Sequence, residues 1–160
     1  MKVLNSLTRI RALSTPVVIT PVGALHVELR GLENTDAPVM TFIHGLGGAA
    51  NSFAPLITAS GAESTHRIIL IDLPGHGLSQ AAVLQFSIDQ LASSIGGVLE
   101  HFGVTKTILI GHSMGGVSSS LASSYTHANA NVAAKYDFGE SETYPYLETG
   151  YIEPRGNSRR

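Results

Sequence analysis

The sequence predicts an α/β fold, a doubly wound and mostly parallel sheet opened by an antiparallel strand pair. Three observations predict it. The runs Val39 to His44, Arg67 to Asp72 and Thr107 to Ile110 are apolar at almost every position, as parallel strands covered on both faces must be. Helical or glycine-rich connections separate them, the alternation that builds a parallel sheet. Charged residues make up only 14% of the 160 residues, against about 25% in an average soluble domain, so much of the chain is expected to be covered.

Each element has a local reason. Val17 to Thr20 is β-branched and bounded by Pro16 and Pro21, and Ala24 to Arg30 alternates with Leu25, Val27 and Leu29 on one face. Together they read as the antiparallel pair. Val39 to His44 follows Pro38 and is ended by Gly45, Gly47 and Gly48. Asn51 to Ala59 reads as a short helix with Asn51 as its N-cap. Arg67 to Asp72 runs into the loop Leu73-Pro74-Gly75-His76-Gly77. Ser87 is a good N-cap for a helix from Ile88 to Phe102, where Ile88, Leu91, Ala92, Ile95, Leu99 and Phe102 recur at helical spacing. Gly103 ends that helix. Thr107 to Ile110 is the last strand, and Met114 to Ser124 reads as helical.

Beyond that point the composition shifts. All 5 tyrosines fall from Tyr125 onward, and Tyr136 to Arg160 shows no helical stripe and no strand-length apolar run. The expected organisation is a lead-in over residues 1–16, an α/β domain over 17–124 and a disordered tail over 125–160. The lead-in carries Lys2, Arg9 and Arg11 with no acid before Glu28, a composition compatible with a mitochondrial transit segment. A cytoplasmic location is expected, with a mitochondrial one as the alternative.

Several function classes are excluded or disfavoured. A net charge of −2 gives no electrostatic basis for a nucleic-acid partner. The absence of cysteine removes disulfides, thiolate metal sites and a cysteine nucleophile. No apolar run reaches the ~18 residues of a membrane span. No His, Asp or Glu cluster has zinc-like spacing, and no cofactor or metal is expected.

The chemistry-bearing motif is Gly111-His112-Ser113-Met114-Gly115. A serine hydroxyl attacks a carbonyl best when held up and exposed, and a sharp turn from strand into helix does this. Gly111 and Gly115 flank it because a Cβ there would clash as strand and helix close. The helix starting near Met114 would aim its free N–H groups at a developing oxyanion. A second motif, His44-Gly45-Leu46-Gly47-Gly48, ends an earlier strand. A third, Asp72-Leu73-Pro74-Gly75-His76-Gly77-Leu78-Ser79, ends another.

These three motifs, in this order, resemble the α/β-hydrolase superfamily, in its serine esterase and lactonase branch. The resemblance covers roughly Val17 to Ser124. Within it, His44 to Phe53 and Asp72 to Ser79 are most similar to the 3-oxoadipate enol-lactonase and carboxylesterase type. It implies Ser113 as nucleophile, with the backbone N–H groups of Leu46 and Met114 as oxyanion donors. His44, Gly45, Gly47 and His112 would line the site. The implied substrate is a small ester or lactone, opened through an acyl-enzyme.

The resemblance also implies an acid and then a histidine after the serine. Here the one histidine after Ser113 is His127 and the one aspartate is Asp137, in reversed order. Neither is a credible triad member, and His44 is read as a brace for its loop rather than a general base. His76 is likewise read as a brace, and His26, His66 and His101 as ordinary surface or edge residues. The expectation is therefore the first half of a hydrolase sheet followed by a non-homologous tail, a truncated product that is inactive or very weak. The alternative is a catalytically dead binding or dimerising module. The strand Thr107 to Ile110 would then be an apolar edge prone to self-association.

Overall fold

The structure, a computed structural model, describes residues 15–33, 35–79 and 87–125. Five strands form one sheet: β1 (Val17–Thr20), β2 (Gly23–Arg30), β3 (Val39–Ile43), β4 (Arg67–Ile71) and β5 (Thr107–Gly111). Their order is β1-β2-β4-β3-β5. β2 pairs antiparallel with both β1 and β4, and β3 pairs parallel with β4 and β5. The antiparallel opening and the parallel continuation both follow the sequence expectation.

Three helices cover the sheet: α1 (Ala54–Ser60), α2 (Ile88–His101) and α3 (Met114–Tyr125). Successive strand residues point to opposite faces. Phe42, Ile68, Leu70 and Ile110 therefore pack with Phe53 and Ile57 on the α1 side. Val39, Ile43, Ile69, Ile71 and Leu109 pack with Leu91, Ile95, Val98 and Ala122 on the α2 and α3 side. That double covering is why the three central strands read as continuous apolar runs rather than alternating ones.

Two hydroxyls break the apolar layer. Thr107 Oγ1 donates to the carbonyl of Val39 at 3.1 Å and lies 2.9 Å from Thr41 Oγ1. Each buried polar group thus has a partner, which removes most of its desolvation cost.

Helix α2 begins as expected, with the Ser87 hydroxyl accepting the N–H of Gln90 at 3.2 Å. It ends before Gly103, whose φ of 63° is left-handed. The first helix departs from expectation. Asn51 is not a cap; a 3-10 turn over Ala50–Phe53 precedes α1, and Ala49 stands at its N-cap position. The N–H of Ala50 is taken by Asp72 Oδ1 at 2.5 Å. A carboxylate from the end of β4 therefore does the work assigned to a local residue. The predicted lead-in up to residue 14 and the predicted tail beyond Tyr125 lie outside the described residues. No helix among the described residues is long and apolar enough to cross a membrane.

Candidate active site

Chain connections leave β3 in opposite senses. β3 leads through α1 to β4 on one side, while β5, beyond α2, lies on the other. In an open α/β sheet, ligands bind at the carboxyl ends of strands where this reversal occurs. The loops that follow β3 and β5, bearing His44 to Gly48 and His112 to Ser113, meet at that point.

The turn after β5 has the geometry its sequence predicts. Ser113 is the one non-glycine among the described residues with positive φ, at 52°. The left-handed region costs an L-residue about 1–2 kcal/mol, and such strain concentrates at functional sites. The N–H of Gly115 donates to the His112 carbonyl at 2.8 Å, and that of Gly116 to the Ser113 carbonyl at 2.8 Å. The strand thus passes into α3 without a gap. A Cβ on Gly111 would meet the backbone of Gly115 and Gly116 at 2.5 Å, and one on Gly115 would collide with the Ile43 carbonyl oxygen. The flanking glycines are there for space. Ser113 is exposed, and Met114 heads α3, where the first N–H groups have no partner within the helix.

The loop after β3 is a tight turn. The N–H of Gly48 donates to the Gly45 carbonyl at 3.1 Å, and Gly47 has φ of 72°. That places Leu46 and Gly47 at the centre of a type II turn, which favours glycine at its third position. The turn lies against the strand-to-helix bend that carries Ser113, the elbow between β5 and α3: a Cβ on Gly45 would come within 3.1 Å of Ser113 Cβ and 2.9 Å of His112 Nδ1. The N–H of His112 donates to the Ile43 carbonyl at 3.0 Å, tying the two loops together.

His44 is 1% exposed. Its Nε2 accepts the N–H of Leu73 at 3.0 Å, so Nδ1 carries the proton and donates to the Gly45 carbonyl at 2.7 Å. Both nitrogens are engaged in holding the turn. Burial holds the imidazole below its usual basicity, with the Gly45 hydrogen bond opposing and the nearby His76 adding to the effect. The His76 ring lies 5.1 Å away, and its Nδ1 bonds the Pro74 carbonyl at 3.0 Å. Both histidines brace loops, as read from the sequence.

A cavity of about 540 Å³ opens between the His44 to Gly48 turn and a wall formed by Ser52, Phe53, Leu56 and His112. Its wall is set by a residue without an assigned role in the sequence reading. Asp72 is buried. Besides the Ala50 N–H, its carboxylate accepts the N–H of Leu78 at 2.8 Å and the Nδ1 proton of His26 at 2.8 Å. Its carbonyl accepts the Ser79 hydroxyl at 2.6 Å. His26 is therefore not an ordinary edge histidine, as its place on a half-exposed strand suggested; it is paired with a buried acid 46 positions away. Only the polarity of Asp72 after an apolar run hinted at this. Among the described residues, no three His, Asp or Glu side chains gather as a metal site would need. His127 and Asp137 lie outside the described residues.

Residues 38–134, more than half of the chain, match the family model described as alpha/beta hydrolase fold. The chain belongs to the α/β-hydrolase fold family. It is 38% identical over 82 residues to the magnesium-chelatase 30 kDa subunit of Rhodobacter capsulatus, covering 51% of this chain and 28% of that protein. It is 30% identical over 133 residues to 2-(acetamidomethylene)succinate hydrolase of Mesorhizobium japonicum, covering 82% of this chain and 44% of that one. Among solved structures, the enol-lactonase from Burkholderia xenovorans superposes with a TM-score of 0.66 at 23% identity, over 72% of this chain and 44% of that one. This α/β-hydrolase-fold chain therefore spans less than half the length of each of these relatives.

Proposed function

We propose that the chain carries the acyl-accepting half of a serine hydrolase site, acting on a carboxylic ester or lactone. The observation that supports this most is Ser113 itself: an exposed serine in left-handed backbone, between β5 and α3, against the Gly45 to Gly48 turn. In this reading the Ser113 hydroxyl attacks the carbonyl carbon. The N–H groups of Leu46, on the turn, and Met114, at the head of α3, receive the oxyanion. Gly45 and Gly47 shape the turn, and His44 and His112 line the site. The finer resemblance to enol-lactonases and carboxylesterases supports lactones and esters as the substrates.

We also read the chain as a weak catalyst on its own. Both His44 nitrogens are committed to the turn, so the buried histidine beside the elbow is not available as a base. An oxyanion hole and binding without a base leave about 10³–10⁴-fold over water. This supports the inactive or very weak catalysis expected from the sequence. The test is a fluorophosphonate probe. Labelling that disappears in Ser113→Ala supports an activated serine, whereas a chain that never labels is the binding module instead.

A further inference from the structure

The imidazole of His44 stands between the turn after β3 and the end of β4, and both ring nitrogens are used. Nε2 accepts the N–H of Leu73 at 3.0 Å, and Nδ1 donates to the Gly45 carbonyl at 2.7 Å. That carbonyl also accepts the N–H of Gly48 at 3.1 Å. A trans peptide is planar, with its C=O and N–H pointing in opposite directions. The Gly45 carbonyl is drawn toward the imidazole and Gly48, so the N–H of Leu46, on the same peptide, is turned the other way. The ring therefore sets the direction of that N–H.

The arrangement works with one tautomer only. An imidazole with a second proton is a donor at both nitrogens, and Nε2–H would then face the N–H of Leu73, donor against donor. One partner must yield. Leu73 is fully buried. Its neighbour Asp72 is anchored through its N–H to the His26 carbonyl at 3.1 Å and through its carboxylate to Ala50, Leu78 and His26. The turn is the looser partner, with Leu46 81% exposed at its tip. Among the described residues, the ionisable groups facing the ring are His76, 5.1 Å away, and Asp72, both after β4, with His112 across Gly45 on the β5 side. Burial does most to keep the ring neutral; the Gly45 hydrogen bond opposes it, His76 adds to it and the Asp72 carboxylate opposes it.

We propose that His44 is an acid-sensitive latch on the site: neutral, it positions the Leu46 N–H, and protonated, it releases Leu73 and lets the turn move off the elbow. His44 is thus a positioning residue whose action depends on its charge. The consequence for Ser113 rests on Leu46 as an oxyanion donor. The site is disassembled in acid while the sheet stays folded, since local openings need less free energy than global unfolding.

The experiment follows the full 160-residue chain from about pH 8 to about pH 4, through the ordinary imidazole range. The ring nitrogen resonances of His44 should show one bare and one protonated nitrogen at the upper end and two protonated nitrogens at the lower, with a midpoint below 6.5. Across that step the hydrogen-exchange protection of the Leu73 N–H should fall at least about tenfold, while the Ile69 and Val98 amides keep theirs. His44→Gln keeps an acceptor for Leu73 and gains no proton, so its Leu73 protection should stay level. His76→Gln should retain the step. If His44→Gln does not fold, the ring and amide signals of the unmodified chain decide. A His44 that stays neutral throughout, Leu73 protection that survives a doubly protonated ring, or a step that persists in His44→Gln overturns the latch. So does protection of Leu73 lost only together with Ile69 and Val98, which is unfolding. Fluorophosphonate labelling of Ser113 runs in parallel and should slow at the His44 midpoint in the parent but not in His44→Gln. Labelling indifferent to the His44 charge overturns the positioning of Leu46. A chain that labels at no pH removes the acyl-acceptor reading, and the Leu73 amide then judges the latch on its own.

Discussion

The carboxylate of Asp72 accepts the N–H of Ala50 at 2.5 Å across a sequence separation of 22 residues. One acid at the end of β4 thereby starts the helical turn that walls the cavity. With its other oxygen it also holds Leu78 and His26. Asp72→Ala should therefore leave the buried N–H of Ala50, the N–H of exposed Leu78 and an imidazole without their acceptor. Hydrogen bonds to a charged group contribute about 1.5–3 kcal/mol each, so a loss of at least about 3 kcal/mol is expected by urea denaturation. Asp72→Asn keeps an oxygen for Ala50 and should lose about half as much. Equal stability of both variants and the parent would remove Asp72 from its role.

His44 should give the chain a particular response to acid. Its folded pKa is lowered by burial from the usual 6.5. The unfolded chain then takes up a proton that the folded chain refuses, so stability is complete above 6.5 and falls as pH drops below it. His44→Gln keeps an acceptor for Leu73 and cannot titrate. Its stability should be flatter over the same acidic interval, measured by thermal melts across pH. Parallel curves for the two proteins would argue against a neutral, buried His44.

The elbow's strain makes its own prediction. Ser113→Gly relieves about 1–2 kcal/mol of left-handed strain and adds about 0.5–1 kcal/mol of unfolded-chain entropy. The variant should be as stable as the parent or up to about 1.5 kcal/mol more stable, while losing all fluorophosphonate labelling. Ser113→Ala should lose the labelling without the gain in stability. A markedly destabilised glycine variant would show that the serine hydroxyl supports the fold.

Much of this was legible in the sequence, and the parts that were not share a cause. Doubly covered strands announce themselves as apolar runs, and Ser87 before Ile88 is a complete local signal for a helix start. The glycines at 111 and 115 marked a close approach that the backbone confirms in space. What escaped was every contact made between strands far apart in the chain. Asn51 looked like a cap because the true acceptor for this turn sits at position 72. His26 looked like a surface residue because its partner sits 46 positions away. Local patterns encode elements; the bonds that join the ends of those elements depend on register, which a single sequence does not display.

Strand β5 has a partner on one side only among the described residues. Such an edge offers a row of free backbone groups to another chain. The chain is expected to self-associate, with sedimentation velocity showing species above the monomer at micromolar concentration. Ile108→Lys, at a half-buried position on β5, should shift the distribution toward monomer. A parent chain that sediments as a monomer over that range would refute the edge as a docking strand.

The Thr41–Thr107 hydrogen bond joins β3 to β5 in the interior, near the strand ends remote from Ser113. It acts as a register lock for the whole site. With Val39 opposite Thr107, Ile43 falls opposite Gly111, and the gap left for a missing Cβ arrives beside the right carbonyl. A slip of one residue would turn Leu109 to the wrong face and bring a side chain where only hydrogen fits. The spacing between the turn and the serine is thus measured out by a pair of buried hydroxyls. Geometry at the rim is calibrated from the far end of the sheet.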